Sequence, residues 1–333
     1  MNQPFNHRHS AHCETGAMSG LLRNRGLDLS EPMTFGIGAG LFFLYVPFIK
    51  MGGIPFASYR AEPGGIIKNV CKRLSITMRM KRFSNPAEGM AALDRLLDQG
   101  IPVGLQTGVF WLPYFPKNMR FQFNAHNLVV YGKEGNNYLI SDPVFEFPVT
   151  CPAQDLQRAR FAKGMLAPKG LLYYPENVPA APDLKKPARA AIIQVCRRML
   201  GIPLPFFGVR GIRYLANAIE RWPRKLAKDE ALLQVGSIIR LQEEIGTGGA
   251  GFRFMYTAFL QEASVLLQLP ELAEAAKMLS ETGDRWREFA VKGAQLCKGY
   301  DARAEVYGEL AEIVRDCANR EEKIFLLLKK AVG

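Results

Sequence analysis

The sequence predicts an α+β protein in two parts, a mixed amino-terminal domain followed by an all-helical domain. Up to Tyr174, short runs of β-forming residues alternate with a few helical segments. Four prolines then fall within the thirteen residues from Pro175 to Pro187, which is typical of a linker. Beyond them, apolar residues recur at the three- and four-residue spacing of helices. The predicted boundaries are residues 1–175, a linker at 176–187, and a helical domain at 188–333.

The first predicted element is a helix that begins directly after Cys13. From Glu14 to Arg25 the apolar residues share one helical face, and Gly26 follows as a residue suited to a left-handed helix end. Cys13 is therefore expected at the positive end of a helix dipole, where a thiolate is stabilised.

The most apolar stretch, Gly36 to Met51, is predicted to be a glycine-rich turn that feeds a buried strand. Its uninterrupted apolar run is shorter than the roughly 20 residues that a membrane-spanning helix needs. Contact with a membrane surface is the alternative reading of this stretch. Further along, Asn85, Pro86 and Glu88 predict the capped start of a helix that Gly100 ends.

A β-hairpin is predicted from Asn127 to Ser141, with its connection at 133–137. His126 opens the first strand and Asp142 follows the second. Pairing of the two strands would bring these side chains together, and the carboxylate could then accept the imidazole N–H.

Cys13, His126 and Asp142 are the candidate catalytic residues. The chain has only four histidines, and three of them lie within six residues of Cys13, so His126 is the only distant candidate for a base. A thiol with a pKa near ~8.5 becomes a good nucleophile when an imidazole stabilises its thiolate. This order of residues is what a papain-like nucleophile system needs. The alternatives are a buried structural cysteine, a structural histidine and an aspartate that starts a turn.

No intrinsic metal or cofactor is expected. His9 and His12 could join Cys13 around zinc, but no second group of ligands is present in the sequence. The six cysteines have irregular spacing and no CxxC pair, which argues against a disulfide framework and indicates a reducing compartment. The first residues show no secretory signal, so a cytoplasmic location is expected.

Five segments resemble one known family. Arg8 to Ala17, Gly26 to Glu31 and Phe35 to Leu41 are similar to the amino-terminal domain of the butirosin biosynthesis protein H family, as are the segments around His126 and Asp142. Ile245 to Arg253 resembles the helical domain of unknown function that commonly follows it. The similarity covers nearly the whole chain.

The resemblance implies a papain-like fold, related to peptidases that trim bacteriocin leaders but turned to acyl transfer. The namesake moves an aminoacyl group from an acyl carrier protein to an amine. By this resemblance Cys13 is the acyl-accepting nucleophile, His126 the base and Asp142 its orienting partner. Related peptidases place a glutamine shortly before the cysteine, whereas here the nearest is Gln3. The candidate oxyanion donors are therefore the Cys13 N–H, His9 and Gln106.

Two further features fit a carrier-protein partner. A glycine-rich loop could hold the phosphopantetheine arm that the partner carries, although a tight turn between helices is an equal alternative. Its candidate residues are Gly246, Thr247, Gly248, Gly249 and Arg253. The net charge is +12, and a segment without acidic residues could dock an acidic carrier protein, with a plain solvated surface as the alternative. Its candidate residues are Lys72, Arg73, Arg79, Lys81 and Arg82.

The predicted function is acyl transfer from a carrier-protein thioester to a small-molecule amine or hydroxyl, in specialised-metabolite or lipid biosynthesis. A thioesterase, a cyclase or a cysteine peptidase could use the same three residues, and a binding protein with a structural Cys13 is the non-catalytic alternative. Nucleic acid is not expected, because no recognition motif accompanies the basic charge. No transmembrane segment is expected, and the oligomeric state is left open, with a homodimer as one option.

Overall fold

The computed structural model describes residues 5–51, 53–300 and 303–333, and it confirms an amino-terminal sheet and a helical carboxyl-terminal region. The helices are α1 (Cys13–Asn24), α2 (Glu31–Ile37), α3 (Gly65–Leu74), α4 (Pro86–Asp98), α5 (Ala153–Arg160), α6 (Lys185–Leu200), α7 (Gly208–Lys225), α8 (Lys228–Glu243), α9 (Arg253–Leu267), α10 (Pro270–Cys297) and α11 (Val306–Val332). The strands are β1 (Leu41–Met51), β2 (Ile54–Arg60), β3 (Thr77–Lys81), β4 (Val103–Thr107), β5 (His126–Glu134), β6 (Asn137–Ser141), β7 (Val149–Pro152) and β8 (Leu172–Asn177).

The chain divides into two compact units. One contains the described residues up to Thr34 together with Ile66–Pro182, and the other contains Phe35–Gly65 together with Asp183–Gly333. The division at the proline-rich segment stays a prediction, and the units differ from it in one respect. Residues 35–65 lie early in the chain but group with the helical unit.

The first unit is built on a six-stranded antiparallel sheet with strand order β3-β8-β4-β5-β6-β7. Its core joins Leu93 of α4 and Leu156 of α5 to alternating residues of the strands, such as Leu105 and Leu128. Alternation sends every second strand residue to the same face, which explains this spacing. The core fixes the register of β4 against β5, and thereby the position of His126 at the start of β5.

Local sequence signals in this unit are confirmed. Asn85 caps α4 by accepting the backbone N–H groups of Ala87 and Glu88, and Pro86 occupies the first helical position. The predicted hairpin is the β5–β6 pair. Helix α1 begins at Cys13 and packs against β4, β5 and β8.

Residues 35–65 belong to the second unit and take no part in the six-stranded sheet. Strands β1 and β2 form a separate two-stranded ladder, and the aromatic residues on them pack against α10. The ring of Tyr59 meets that of Phe43 at 5.2 Å and that of Trp286 at 5.7 Å, both edge to face. Contacts of this kind bury large apolar area, so the hairpin belongs to the core of the helices.

A buried ion pair lies beside this aromatic cluster. Arg253 and Glu321 are both fully buried and share two hydrogen bonds of 2.9 and 3.0 Å. Trp286 donates its indole N–H to the same carboxylate at 2.8 Å, and Arg253 also donates to the Gly251 carbonyl. The prediction that Arg253 faces a phosphopantetheine arm is therefore wrong, because its guanidinium is enclosed and its charge is already paired.

Polar groups of the glycine-rich loop likewise form hydrogen bonds within the loop and to the end of α8. The Thr247 hydroxyl donates to the Gln242 carbonyl and accepts the Gly249 N–H, while the Ala250 N–H donates to the Glu243 carboxylate. The N–H groups of Gly249 and Ala250 are therefore already used within the loop. The phosphopantetheine role of Gly246, Thr247, Gly248 and Gly249 stays a prediction, as does the alternative of a tight turn between helices.

Gly283 and Pro223 predict turns between helices in the sequence, but the structure has helix at both positions. α10 runs unbroken through Gly283, which lies against the ring of Phe254, so this glycine makes room for a neighbour rather than ending a helix. α7 continues past Pro223, which lies in its last turn.

Within the described part of the chain, none of the helices is both long and apolar enough to cross a membrane.

Gly251 provides a test of the loop's packing role. A Cβ atom there would lie 2.2 Å from the Tyr59 ring, and the residue has φ +56. We expect Gly251→Ala to lower the free energy of unfolding by about 2–5 kcal/mol, from combined backbone strain and overpacking. Denaturant unfolding measures the change.

Gly299→Ala is the matched control, because Gly299 also has a positive φ but no atom within 4 Å of its Cβ position. Strain alone should cost this variant about 1–2 kcal/mol. Equal destabilisation of the two variants would show that contact with Tyr59 is not what requires glycine at position 251.

Candidate active site

Cys13 is the first residue of α1, and the residue before it caps the helix. His12 has an extended backbone, and its Nδ1 accepts the Thr15 N–H at 3.4 Å. This satisfies one of the N–H groups that a helix start leaves unpaired. Cys13 itself is 8% exposed. None of the described residues form a group of three or more histidine, cysteine or carboxylate side chains that could hold a metal ion.

A carboxylate from α2 holds the segment that leads into Cys13. The two oxygens of Glu31 accept the backbone N–H groups of Ala11 at 3.0 Å and His12 at 2.8 Å. Burial raises the pKa of Glu31, and the two N–H donors oppose that rise. Both donors are backbone groups next to the cysteine, so Glu31 fixes the direction in which the chain enters α1.

A second buried carboxylate anchors α1 from the other side. Glu14 is fully buried, and its Oε1 accepts the N–H groups of Ile66 at 3.1 Å and Ile67 at 3.3 Å. These amides belong to the first turn of α3, where a negative charge is favoured by the helix dipole. The residue after Cys13 is thus tied to a neighbouring helix.

Gly16 allows α1 to approach the loop that carries Asp142. A Cβ atom at Gly16 would lie 2.4 Å from Pro143 Cβ and 2.7 Å from Ser10 Cβ. Ser10 also donates its N–H to the Pro143 carbonyl at 2.7 Å. The segment before Cys13 and the segment after Asp142 are therefore in direct contact, although about 130 residues separate them in the sequence.

His126 and Asp142 form a buried hydrogen-bonded pair. His126 pairs with Thr107 where the central strands β4 and β5 end, and Asp142 directly follows β6. The imidazole Nε2 lies 2.7 Å from Asp142 Oδ2, with the two side chains 5% and 0% exposed. The Phe115 ring packs edge to face against the imidazole, with centroids 5.4 Å apart. Their closeness agrees with the hairpin prediction.

The charge on His126 is set by opposing influences. Burial is the largest and lowers the pKa of His126, but the charge and hydrogen bond of Asp142, together with a hydrogen bond to Cys13, outweigh it. The net effect raises the pKa of His126 from 6.5 to about 10. Since Nε2 faces Asp142, Nδ1 is the nitrogen left for Cys13. A protonated imidazole and a helix N-terminus both stabilise a thiolate.

Tyr114 is a further member of the site, and its role was missed in the sequence. Its hydroxyl donates to Asp142 Oδ2 at 2.8 Å, the same oxygen that meets His126, while Val144 donates its N–H to Oδ1 at 3.3 Å. Burial and the neighbouring charge of Asp142 hold the pKa of Tyr114 well above its ordinary value, so the hydroxyl stays a donor. In the sequence Tyr114 is one residue of the aromatic run 110–114, and nothing local distinguishes it from its neighbours.

That aromatic run lines a surface cavity of about 430 Å³ whose wall is mixed rather than apolar. It contains Phe110, Trp111, Pro113, Lys117, Arg120 and Asp155. Tyr114 is not among the lining residues, and its hydroxyl contacts Asp142.

One of the three candidate oxyanion donors is wrong. Gln106 donates from Nε2 to the carbonyls of Asn124 and Leu166, both at 3.0 Å, so its amide hydrogens are used for structure. The Cys13 N–H belongs to the first helical turn and has no acceptor among the residues that the structure describes. It stays a predicted donor.

His9 also stays a predicted oxyanion donor. It is exposed, and its charge acts on Glu31. Gln3 lies outside the described residues.

The predicted docking residues lie on α3, on β3 and just beyond it, and most are exposed. Several already have partners: Arg79 pairs with Glu176 at 2.5 Å, Arg82 donates to the Pro168 carbonyl, and Lys81 lies over the Phe83 ring. Strand β3 is an edge of the sheet, where basic residues also discourage pairing with other chains. Carrier docking by Lys72, Arg73 and their neighbours stays a prediction.

Comparison with known proteins supports the resemblance. Residues 12–143 match the family described as "Butirosin biosynthesis protein H, N-terminal", and residues 154–328 match "Domain of unknown function (DUF4872)". Among solved structures, a C39-like peptidase from Bacillus anthracis is similar at 15% identity and a TM-score of 0.36. That alignment covers 54% of this chain and 96% of the peptidase. No curated protein matched.

The charge balance at His126 is testable with Asp142→Asn. Without the carboxylate, burial dominates, so the pKa of His126 should fall from about 10 to below 6.5. NMR titration of the imidazole carbon-bound protons measures this directly. Because the folded pKa is raised, the stabilisation from protonated His126 is full below about pH 6.5 and is lost as the pH rises through about 10. The difference in the free energy of unfolding between the native protein and Asp142→Asn should therefore become smaller as the pH rises from about 6.5 to about 10.

Asp98→Asn is the control, since Asp98 is an exposed residue at the end of α4. It should leave the His126 titration unchanged. A native His126 that titrates near 6.5 would contradict the charge balance described for the site.

Tyr114→Phe tests the second hydrogen bond to Asp142. Loss of a donor to a buried carboxylate should lower the free energy of unfolding by about 1.5–3 kcal/mol. It should also raise the pKa of His126 further, because Asp142 then keeps more of its charge for the imidazolium. Tyr300→Phe removes a hydroxyl from a side chain that is 79% exposed and should change neither quantity. Similar results for both variants would contradict a role for Tyr114 at Asp142.

Proposed function

The chain belongs to the family that joins the amino-terminal domain of butirosin biosynthesis protein H to DUF4872, and within it we propose an acyltransferase with Cys13 as nucleophile. The observation that carries the proposal is the contact of Cys13, at the start of α1, with a buried imidazole held by Asp142. A helix N-terminus and a protonated imidazole around one thiol favour nucleophilic catalysis.

In the first step, the Cys13 thiolate attacks the carbonyl carbon of an acyl thioester. A bond forms between Sγ and the acyl carbon, and the carbon–sulfur bond of the donor breaks. The raised pKa of His126 keeps the imidazole protonated before the reaction. The imidazolium then gives its proton to the departing thiol. The backbone N–H of Cys13 lies at the helix start, where it can stabilise the negative oxygen of the tetrahedral intermediate.

In the second step, an acceptor amine or hydroxyl attacks the acyl group on Cys13. The neutral imidazole takes the proton from the acceptor as the new bond forms, and the Cys13 thiolate leaves, which restores the starting ion pair. Asp142 holds the ring in one orientation through both steps, and Tyr114 and the Val144 N–H hold Asp142. Acceptor choice decides whether the product is an amide or an ester.

The proposed acyl donor is a phosphopantetheine thioester on an acyl carrier protein. The enzyme needs no cofactor of its own for this chemistry, because the reactive thioester arrives on the partner. Exposed basic residues on α3 and β3 offer a surface to which an acidic carrier could dock. A specialised-metabolite or lipid pathway is the proposed setting, and the acceptor is a small molecule.

Intact-mass spectrometry with acyl thioesters of N-acetylcysteamine tests the proposal. The native protein should gain one acyl group, and Cys13→Ala should gain none. His126→Gln should acylate about 10²–10⁴-fold more slowly, because it cannot transfer the proton. Cys297→Ala is the control, since Cys297 is the exposed cysteine of the helical unit, and it should acylate like the native protein.

The decay of the adduct separates the alternatives. Faster decay in the presence of an amine or alcohol, with the corresponding amide or ester formed, supports transfer. Equal decay with and without acceptors would identify a thioesterase. Peptide cleavage without thioester reactivity would identify a peptidase, and acylation of Cys13→Ala at the native level would rule out the cysteine mechanism.

A further inference from the structure

Strand β1 ends in a bulge that exposes large apolar side chains. The pairing with β2 shifts between Val46 and Lys50, so the three residues between them have no partner opposite. Two of these residues, Phe48 and Ile49, are 69% and 50% exposed. Neighbouring residues of a regular strand point to opposite faces, and only one face is usually in solvent. The bulge instead presents consecutive apolar residues outward.

The turn between α6 and α7 lies against this bulge. The Tyr45 N–H donates to the Phe206 carbonyl at 2.9 Å, and the rings of Phe48 and Phe206 meet edge to face at 5.2 Å. Leu204, in the same turn, is 50% exposed. The hairpin and the turn therefore present apolar side chains side by side at one place in the helical unit.

The two helices that this turn joins are rich in basic residues. From Lys185 to Lys225 the sequence has ten basic residues and a single acidic one, Glu220. Arg197 and Arg198 lie in the last turn of α6, and Lys50 follows the bulge. Both arginines line a surface cavity of about 390 Å³, together with Ala190, Ile193 and Gln194.

One guanidinium nitrogen in that cavity region lacks a partner. Nη1 of Arg198 is buried and makes no hydrogen bond within the described structure. A buried donor without an acceptor is costly, and movement of the half-buried Arg198 side chain outward would let an anionic oxygen accept from it. Phosphate diesters supply oxygens of this kind, and arginine binds them well.

We propose that Phe48, Ile49, Lys50, Arg197, Arg198 and Leu204 form a membrane-binding patch for anionic phospholipids. The apolar side chains enter the boundary between headgroups and acyl chains, and the arginines bind lipid phosphate. Apolar residues that project together from a bulge and a turn, with basic residues nearby in the sequence, suit the headgroup boundary of an anionic lipid surface. The inference is independent of the acyl-transfer chemistry and also accounts for the exposed apolar residues at the end of β1.

Co-sedimentation with vesicles tests the patch on the full-length protein. We expect binding to vesicles that mix phosphatidylcholine with phosphatidylglycerol, little binding to phosphatidylcholine alone, and weaker binding at high salt. Each basic residue near an anionic surface contributes about fivefold, so Arg197→Gln with Arg198→Gln should bind about thirtyfold more weakly. Phe48→Ala with Ile49→Ala should also bind at least about tenfold more weakly.

Matched controls separate the patch from general basic charge. Arg224→Gln with Lys225→Gln removes two exposed charges from the far end of α7, and Phe147→Ala removes an aromatic side chain that is also 69% exposed. Both should bind like the native protein, and thermal unfolding should show that all variants remain folded.

Equal loss of binding in the control and patch variants would overturn the proposal, as would equal binding to neutral and anionic vesicles. Binding of free glycerol phosphate to the protein, without any binding to vesicles, would identify a small-anion site instead of a membrane-binding patch. Retention of an acidic carrier protein or of RNA at this patch, without vesicle binding, would identify a macromolecular interface and would also contradict the membrane assignment.

Discussion

The buried pair of His126 and Asp142 is the interaction on which the site depends. Burial alone would leave the imidazole neutral, and the carboxylate reverses that preference. A charge pair so far from solvent persists only if its remaining hydrogen-bonding groups are satisfied, and here Tyr114 and the Val144 N–H meet Asp142 while Cys13 meets the ring. The polar groups around the pair are therefore part of its stability as well as its chemistry.

Buried carboxylates that accept hydrogen bonds from backbone N–H groups hold distant segments of the chain near this pair. Glu31 binds the amides before Cys13, and Glu14 binds the first turn of α3. Because Gly16 has no side chain, α1 can lie in contact with the loop after Asp142. These three residues do not need to meet a substrate to matter, because each one restricts where the Cys13 thiol can lie relative to the imidazole.

Local signals in the sequence were sufficient for much of this arrangement. The β5–β6 hairpin follows from its alternation and its short connection, and the start of α4 follows from its cap, because both depend on neighbours in the chain. Long-range partners could not be predicted in this way. Tyr114 reads as one more aromatic residue, and Arg253 reads as a free cation until Glu321, 68 residues away, is seen beside it. The grouping of residues 35–65 with the helices depends on Tyr59 meeting Trp286, which no local pattern reveals.

The central claim is that Cys13, and no other cysteine, carries the acyl group, and peptide mapping of the trapped acyl-enzyme tests it most directly. The protein would be quenched in acid during turnover of an acyl thioester, digested and analysed by tandem mass spectrometry. The account predicts the acyl mass on the peptide that contains Cys13 alone. An acyl group located instead on Cys71, Cys151, Cys196, Cys297 or Cys317 would contradict it, as would turnover with unmodified Cys13 throughout.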